Sequence, residues 1–353
     1  MEELDKRQSE VIDTLRFPLI ILVVFGHMLG FENKPVAFDL SVENIYIFFS
    51  ELISHGLARI TVPAFFLFSG YFFFRKMKEW TFLFYFSQLK RRIWTLLIPY
   101  LIWNFLMIAA VLLKNYAFGL VGATPDEFMS SLQGNHWYFH FWESPINFPL
   151  WYLRELICMS LITPLFYFLF RYIKVYGLLL ILCVYVLGWE VRLTGFSTWA
   201  LWFFGAGAYI GFNKQNILYY TRPMRNLIYW IAIALLLSIT FSVDTIYHGY
   251  LSRIFLIFGV MATINFIDGM TQKKITDFFV RMSGTVFFVY AIHEIYIINW
   301  LKGALERLAG GSWGIMLAGY FIVPFICLGI CLGLYYVSKR IAPGLLAISV
   351  GGR

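Results

Sequence analysis

Apolar stretches of about helix-spanning length recur along the whole chain, each closed by a short polar or turn-rich segment. At about 1.5 Å per helical residue, roughly 20 apolar residues cross the hydrocarbon core of a bilayer. On that measure the pattern predicts spans at roughly 15–31, 57–74, 93–114, 150–170, 175–190, 196–212, 225–242, 250–267, 283–301 and 314–338. Residues 43–56 are helical in pattern but short, and they carry Glu43, Glu51 and His55. They read as an interfacial or re-entrant helix leading into the second span. The expected fold is all-α: one integral-membrane domain over 1–353, with about ten transmembrane helices around a polar cavity.

The first span gives the reason to expect a cavity. Ile12–Gly30 is apolar enough to enter lipid, yet it carries Asp13, Arg16 and His27. Eleven helical steps of about 100° return almost to the starting angle, so Arg16 and His27 leave the same face, about 16–17 Å apart. Asp13 lies three residues before Arg16, near the same stripe. Charged side chains in a membrane helix are expensive in lipid and are expected to face the protein interior or a wet cavity.

Composition sharpens this picture. The 353 residues are 60% hydrophobic, and only 14% are charged, against about 25% in a soluble domain. The net charge of +8 sits mainly in short loops, as the positive-inside rule expects, so nucleic acid is excluded as a partner and the lipid bilayer takes its place. Clusters at Arg75–Lys78, Lys90–Arg92, Arg171–Lys174, Lys214–Arg225, Lys273–Arg281 and Lys339–Arg340, together with Lys6, Arg7 and Arg353, alternate correctly for both termini in the cytoplasm. The longest loop, about 115–149, then lies outside. Its mix of His136, Trp137, His140, Trp142 and Glu143 suits sugar stacking or interface anchoring equally. No signal peptide is visible. The four cysteines (Cys158, Cys183, Cys327, Cys331) fall in apolar runs and read as packing residues, and no metal site is expected.

Several pieces together resemble one family. They are Arg16–ten residues–His27, VPAFFLFSGYFF at Val62–Phe73, KRRIWTLLIPYLIWN at Lys90–Asn104, PLWYLREL at Pro149–Leu156 and FFVYAIHEIYI at Phe287–Ile297. In this order and spacing the chain resembles the acyltransferase 3 family of integral-membrane O-acyltransferases, from residue 9 to about 300. The resemblance implies a ten-helix enzyme that takes an acetyl group from cytoplasmic acetyl-CoA to a hydroxyl of a cell-surface or exported carbohydrate, such as a polysaccharide of the cell envelope. Its arginine–ten–histidine motif maps onto Arg16 and His27. Some members carry two arginines three apart before span three; Arg92 holds the first place here and Thr95 the second.

The residue chemistry points the same way. Acyl transfer to a sugar hydroxyl needs a base, and His is the side chain matched to neutral pH. His27 is the candidate, as general base or as acyl-accepting nucleophile. Arg16 is a candidate for donor phosphate and Asp13 for orienting it; the competing reading of Arg16 is a snorkelling helix-end cation. Lys90, Arg91 and Arg92 suit the phosphates of coenzyme A, or form an ordinary positive-inside flank. Candidates for the acceptor are Trp151, Arg154 and Glu155 at the start of span four, and Tyr290, His293 and Glu294 in span nine. Tyr290 and His293 share a face at i,i+3, whereas Glu294 points about 100° away, toward another partner. Arg253 is an intramembrane charge and so a functional candidate, with Glu155 or Glu294 as possible partners; Arg59 and Asn104 are weaker cases. Ser69–Gly70 reads as a close-packing pair ahead of the competing reading, a serine nucleophile that would need a base nearby. The rival reading is a transporter or exporter of a glycan or an acyl donor, against which stands the lack of a two-fold repeat. The expected location is the bacterial cytoplasmic membrane.

Overall fold

A computed structural model describes residues 2–29, 33–120, 138–270 and 272–352. Gly30 and Phe31 of the first expected span, His136 and Trp137 of the long loop, and Arg353 lie outside them. Among the described residues every regular element is helical. Apart from a π-helical turn at Phe139–Glu143, these are in chain order α1 (Glu2–Gly26), α2 (Val42–Arg75), α3 (Phe82–Gly119), α4 (Phe148–Leu161), α5 (Thr163–Ile173), α6 (Val175–Val186) and α7 (Thr198–Phe212). They are followed by α8 (Ile217–Thr221), α9 (Arg225–Phe241), α10 (His248–Asp268), α11 (Lys273–Ala309), α12 (Trp313–Ile341) and α13 (Pro343–Ser349).

Each expected span has a helix, but lengths differ. Five helices (α2, α3, α10, α11 and α12) are long and apolar enough to cross a membrane. A sixth span results if α4 and α5, bent by 54°, are counted together. The bend falls where Pro164 opens α5 at its first turn, where the ring is compatible with a helix start but not with continuation. Glu10, Asp13 and Arg16 set α1 apart, because any stretch of it long enough to cross contains all three. The protein is a helical, multi-pass membrane protein.

α1 begins well before the apolar run because its polar first turns are docked rather than solvated. Asp5 pairs with Arg75 and accepts from Asn216 Nδ2 at 3.0 Å. Arg7 reaches Asp268 at 3.2 Å, and Gln8 Oε1 accepts from the Ile217 backbone at 2.6 Å. The helix therefore enters the protein tied to the ends of α2, α8 and α10. It ends at Gly26, so His27 sits in the closing turn.

Residues 43–56 do not form a separate interfacial helix. α2 runs through them without a break, by way of a π-helical segment at Glu51–Gly56 and a 3₁₀ segment at Leu57–Ile60. Glu51 and His55 satisfy each other at 2.9 Å inside that segment, which lets two buried polar side chains stay in a spanning helix.

α2 and α7 make the closest helix pair. A Cβ added to Gly207 would collide with the Leu67 carbonyl, and one added to Gly70 with the Phe204 carbonyl. Small residues on both sides bring the backbones together, as in membrane helix pairs; Gly70 has the packing role expected of Ser69–Gly70, whereas Ser69 lines an internal cavity. Lys214, just past α7, donates to the carbonyls of Phe74, Arg75 and Met77 at 3.2, 2.7 and 2.6 Å and so caps the end of α2. Burial, with the Arg75 charge adding to it, lowers the pKa of this ammonium. Cys158, Cys327 and Cys331 are buried free thiols, as packing residues would be, and Cys183 is an exposed one.

Candidate active site

α1 lines one side of a cavity of about 1350 Å³. Wall residues run from Ser9 to Leu29, a length of about 30 Å at 1.5 Å per residue, which is the thickness of a bilayer core. Asp13, Arg16, Ile20, Val23 and His27 all face it, so the stripe expected from helical periodicity is the stripe that forms the wall. α2, α3, α4 and the first half of α11 supply most of the rest. The middle is apolar and aromatic, with Val62, Phe65, Phe72 and Phe287; the two ends are polar.

At one end, His27 Nδ1 lies 3.2 Å from Glu294 Oε1. A carboxylate can only accept, so Nδ1 carries the proton and donates, leaving the Nε2 lone pair as the basic site of the ring. Glu294 reaches α1 because α11 breaks there. Ile295 has φ −71°, ψ 78° and Tyr296 has φ 61°, ψ −20°, neither of them helical. His293 is fully buried behind this pair, with its ring 4.8 Å from that of His27. Its Nδ1 donates to the Val289 and Tyr290 carbonyls at 3.1 and 2.9 Å, which fixes the ring against the last turn before the break. Lys302 Nζ donates to the His27 carbonyl at 2.9 Å and holds the end of α1 from the far side of the break.

A second carboxylate–histidine pair stands close by on α2. Besides His55, Glu51 accepts from Asn33 Nδ2 at 2.8 Å and from the Lys34 backbone at 2.6 Å. Arg59 Nη2 donates to Asn33 Oδ1 at 3.2 Å, and Arg59 and His55 both line the cavity. Ser54 Oγ donates to the Phe25 carbonyl at 2.6 Å, so this part of α2 is fastened directly to the end of α1 that bears His27. The i,i+4 spacing of Glu51 and His55 was the available signal for this pair, and Lys302 carried none beyond being a basic residue beside an apolar run.

The other end is basic. Arg16 pairs with Asp13 at 3.3 Å, both side chains being half-exposed to the cavity. Arg91 and Arg92 line the same end, with Lys76 and Thr95; Lys90, on the same turn, is exposed and does not line it. Among the described residues neither Arg91 nor Arg92 has a carboxylate partner.

The other expected site residues divide. Trp151 and Tyr290 line the cavity, and the Tyr290 hydroxyl donates to the Pro149 carbonyl, tying α11 to the start of α4. Arg154 and Glu155 do not line it. Arg154 Nη1 donates to the Trp142 and Glu143 carbonyls at 2.7 and 2.8 Å, and Glu155 accepts from Ser197 Oγ at 2.5 Å. Both are buried and fasten the loop ahead of α4 and the start of α7. Arg253 pairs with neither Glu155 nor Glu294. Its guanidinium lies over the Tyr250 ring at 5.7 Å and against Gly188, away from the cavity. Asn104 is fully buried; it accepts from the Asn147 backbone at 3.2 Å, and Asn147 Nδ2 in turn donates to the Ala291 carbonyl at 2.8 Å, bracing α11 just before its break.

A multi-pass helical protein with a histidine–carboxylate pair and a basic mouth on one internal cavity fits membrane acyl transfer, and the sequence comparison agrees. The acyltransferase domain of the acyltransferase 3 family matches residues 10–336, and the chain belongs to that family. Over 368 aligned residues it is 26% identical to the succinoglycan biosynthesis protein ExoH of Rhizobium meliloti (strain 1021), covering 99% of this chain and 94% of that protein. No solved structure matches it.

Proposed function

We propose that this chain is a membrane O-acyltransferase that moves an acetyl group from cytoplasmic acetyl-CoA to a hydroxyl of an exported or cell-surface polysaccharide. The observation that carries this reading is the His27–Glu294 pair on a cavity whose opposite end is basic. The polysaccharide acceptor is supported by the likeness to a protein of succinoglycan biosynthesis, and membership of an acyltransferase family weighs against the exporter reading. We place the protein in the bacterial cytoplasmic membrane, crossing it ten times with both termini inside. The shorter helices α6, α7 and α9 and the charged α1 then complete the spans.

In this reading Arg16, Arg91 and Arg92 hold the phosphates of the donor, for which guanidinium groups offer paired donors. Asp13 orients Arg16 through their ion pair. The pantetheine arm runs up the apolar middle of the cavity and brings the thioester to His27. His27 Nε2 takes the proton of the acceptor hydroxyl as its oxygen bonds to the thioester carbonyl carbon. The carbon–sulfur bond breaks, and the proton passes from the imidazolium to the departing thiolate. Glu294 holds the ring in the productive tautomer and stabilises the imidazolium while it is charged. Trp151, Tyr290, Arg59 and His55 form the acceptor's approach at the histidine end.

Purified protein in detergent, given acetyl-CoA and no ion gradient, tests this. The reading expects acetyl-CoA to bind and coenzyme A to be released faster when an acceptor polysaccharide is added. Failure to bind acetyl-CoA contradicts it.

A further inference from the structure

α13 and the three residues described beyond it close one side of the basic mouth. Gly351 and Gly352 line the cavity together with Arg91, Arg92 and Thr95. The segment is anchored there. Leu346 and Val350 are buried, and Trp103 Nε1 on α3 donates to the Ser349 carbonyl at 2.9 Å. Gly351 (φ +70°) lies with its backbone against that of Thr95, where an added Cβ would come within 2.8 Å of the Thr95 Cα and carbonyl oxygen. Gly352 (φ +70°) has nothing within 4 Å of the position its Cβ would take. One glycine therefore permits close approach to the turn that follows Arg91 and Arg92, and the next leaves the mouth clear.

We propose that residues 343–352 form the wall of the donor's nucleotide site, with the backbone at Gly351–Gly352 bordering the adenosine-phosphate part of an acyl-CoA opposite Arg91 and Arg92. This rests on the donor assignment made above. The wall touches only the nucleotide end, so it sets affinity for the full donor. The acetyl thioester itself is handled at His27, at the far end of the cavity.

Two variants of the full-length protein test this, with Cys183→Ser in both because the other native thiols are buried. Gly352→Cys is exposed to a polar maleimide, and Gly352→Trp fills the open space. With acetyl-CoA at ten times its Kd, labelling of Gly352→Cys is expected to slow about tenfold, as the unliganded fraction falls. S-acetyl-N-acetylcysteamine, which keeps the thioester but lacks the nucleotide, is expected to leave labelling unchanged. Gly352→Trp is expected to weaken acetyl-CoA binding about tenfold or more, a change of about 1.4 kcal/mol, while turnover of the small thioester stays near wild type. Equal acetyl-CoA affinity in wild type and Gly352→Trp, or a Gly352→Cys that acetyl-CoA does not protect or maleimide does not reach, overturns the proposal. If the wild type itself binds no acetyl-CoA, the donor assignment falls and this proposal falls with it.

Discussion

The two ends of the cavity are built on different plans. At the histidine end most of the polar groups are held by residues distant in the chain or on other elements: His27 by Glu294, the end of α1 by Lys302 and Ser54, and Arg59 by Asn33, while Glu51 and His55 pair within one helix. At the basic end Arg16 has a partner one helical turn away, and Arg91 and Arg92 have no carboxylate partner among the described residues. A group that must present a lone pair in one direction gains from a fixed frame. A group that must hold a mobile polyanion gains from cations not already neutralised. Under the proposed function, that contrast is the reason to assign chemistry to the histidine end and capture to the basic end.

The strongest way to break that contrast is to remove the base. His27→Ala should lower acetyl transfer by about 100- to 10,000-fold, the usual range for a general base, with little change in acetyl-CoA affinity; a loss of affinity with turnover intact would reverse the roles. Glu294→Gln keeps the shape of the side chain but can donate to Nδ1, which favours the wrong ring tautomer. It should cost about 100-fold or more in kcat, measured at saturating donor. Arg91→Ala combined with Arg92→Ala should raise KM for acetyl-CoA about tenfold and leave kcat near wild type, a loss of about 1.4 kcal/mol in binding. The smallest effect is a control whose own side chain does not line the cavity. Lys214→Met leaves the α2 carbonyls uncapped and should lower stability by about 1–2 kcal/mol, read as a drop in Tm in detergent, with KM unchanged.

Much of the basic end was legible in the sequence, because it depends on local periodicity. Asp13, Arg16 and His27 share a face by helical arithmetic, and α1 presents that face to the cavity. The histidine end was only half legible. Glu294 was expected to point away from Tyr290 and His293 toward another partner, but nothing in a single sequence connects it to a residue 267 positions earlier. That pairing depends on the break at Ile295–Tyr296, where an apolar run with no Pro or Gly leaves helical geometry. Arg154 and Glu155 looked like acceptor ligands because a Trp precedes them at the start of a span. Their side chains are taken up instead by the Trp142 and Glu143 carbonyls and by Ser197, contacts set by how the loop folds back. Glu51 and His55 were visible at i,i+4, and their charge suggested an interface; as a mutually satisfied pair they remain inside a spanning helix.

The central claim is that His27 is the base on which acyl transfer depends. It is tested most directly with membranes holding matched amounts of wild type or His27→Ala, supplied with acetyl-CoA labelled in the acetyl group. Label is then followed into protein and into host polysaccharide or its lipid-linked precursor. The account predicts label in the polysaccharide with wild type alone, while both proteins bind acetyl-CoA alike. Equal transfer by the two proteins would contradict it.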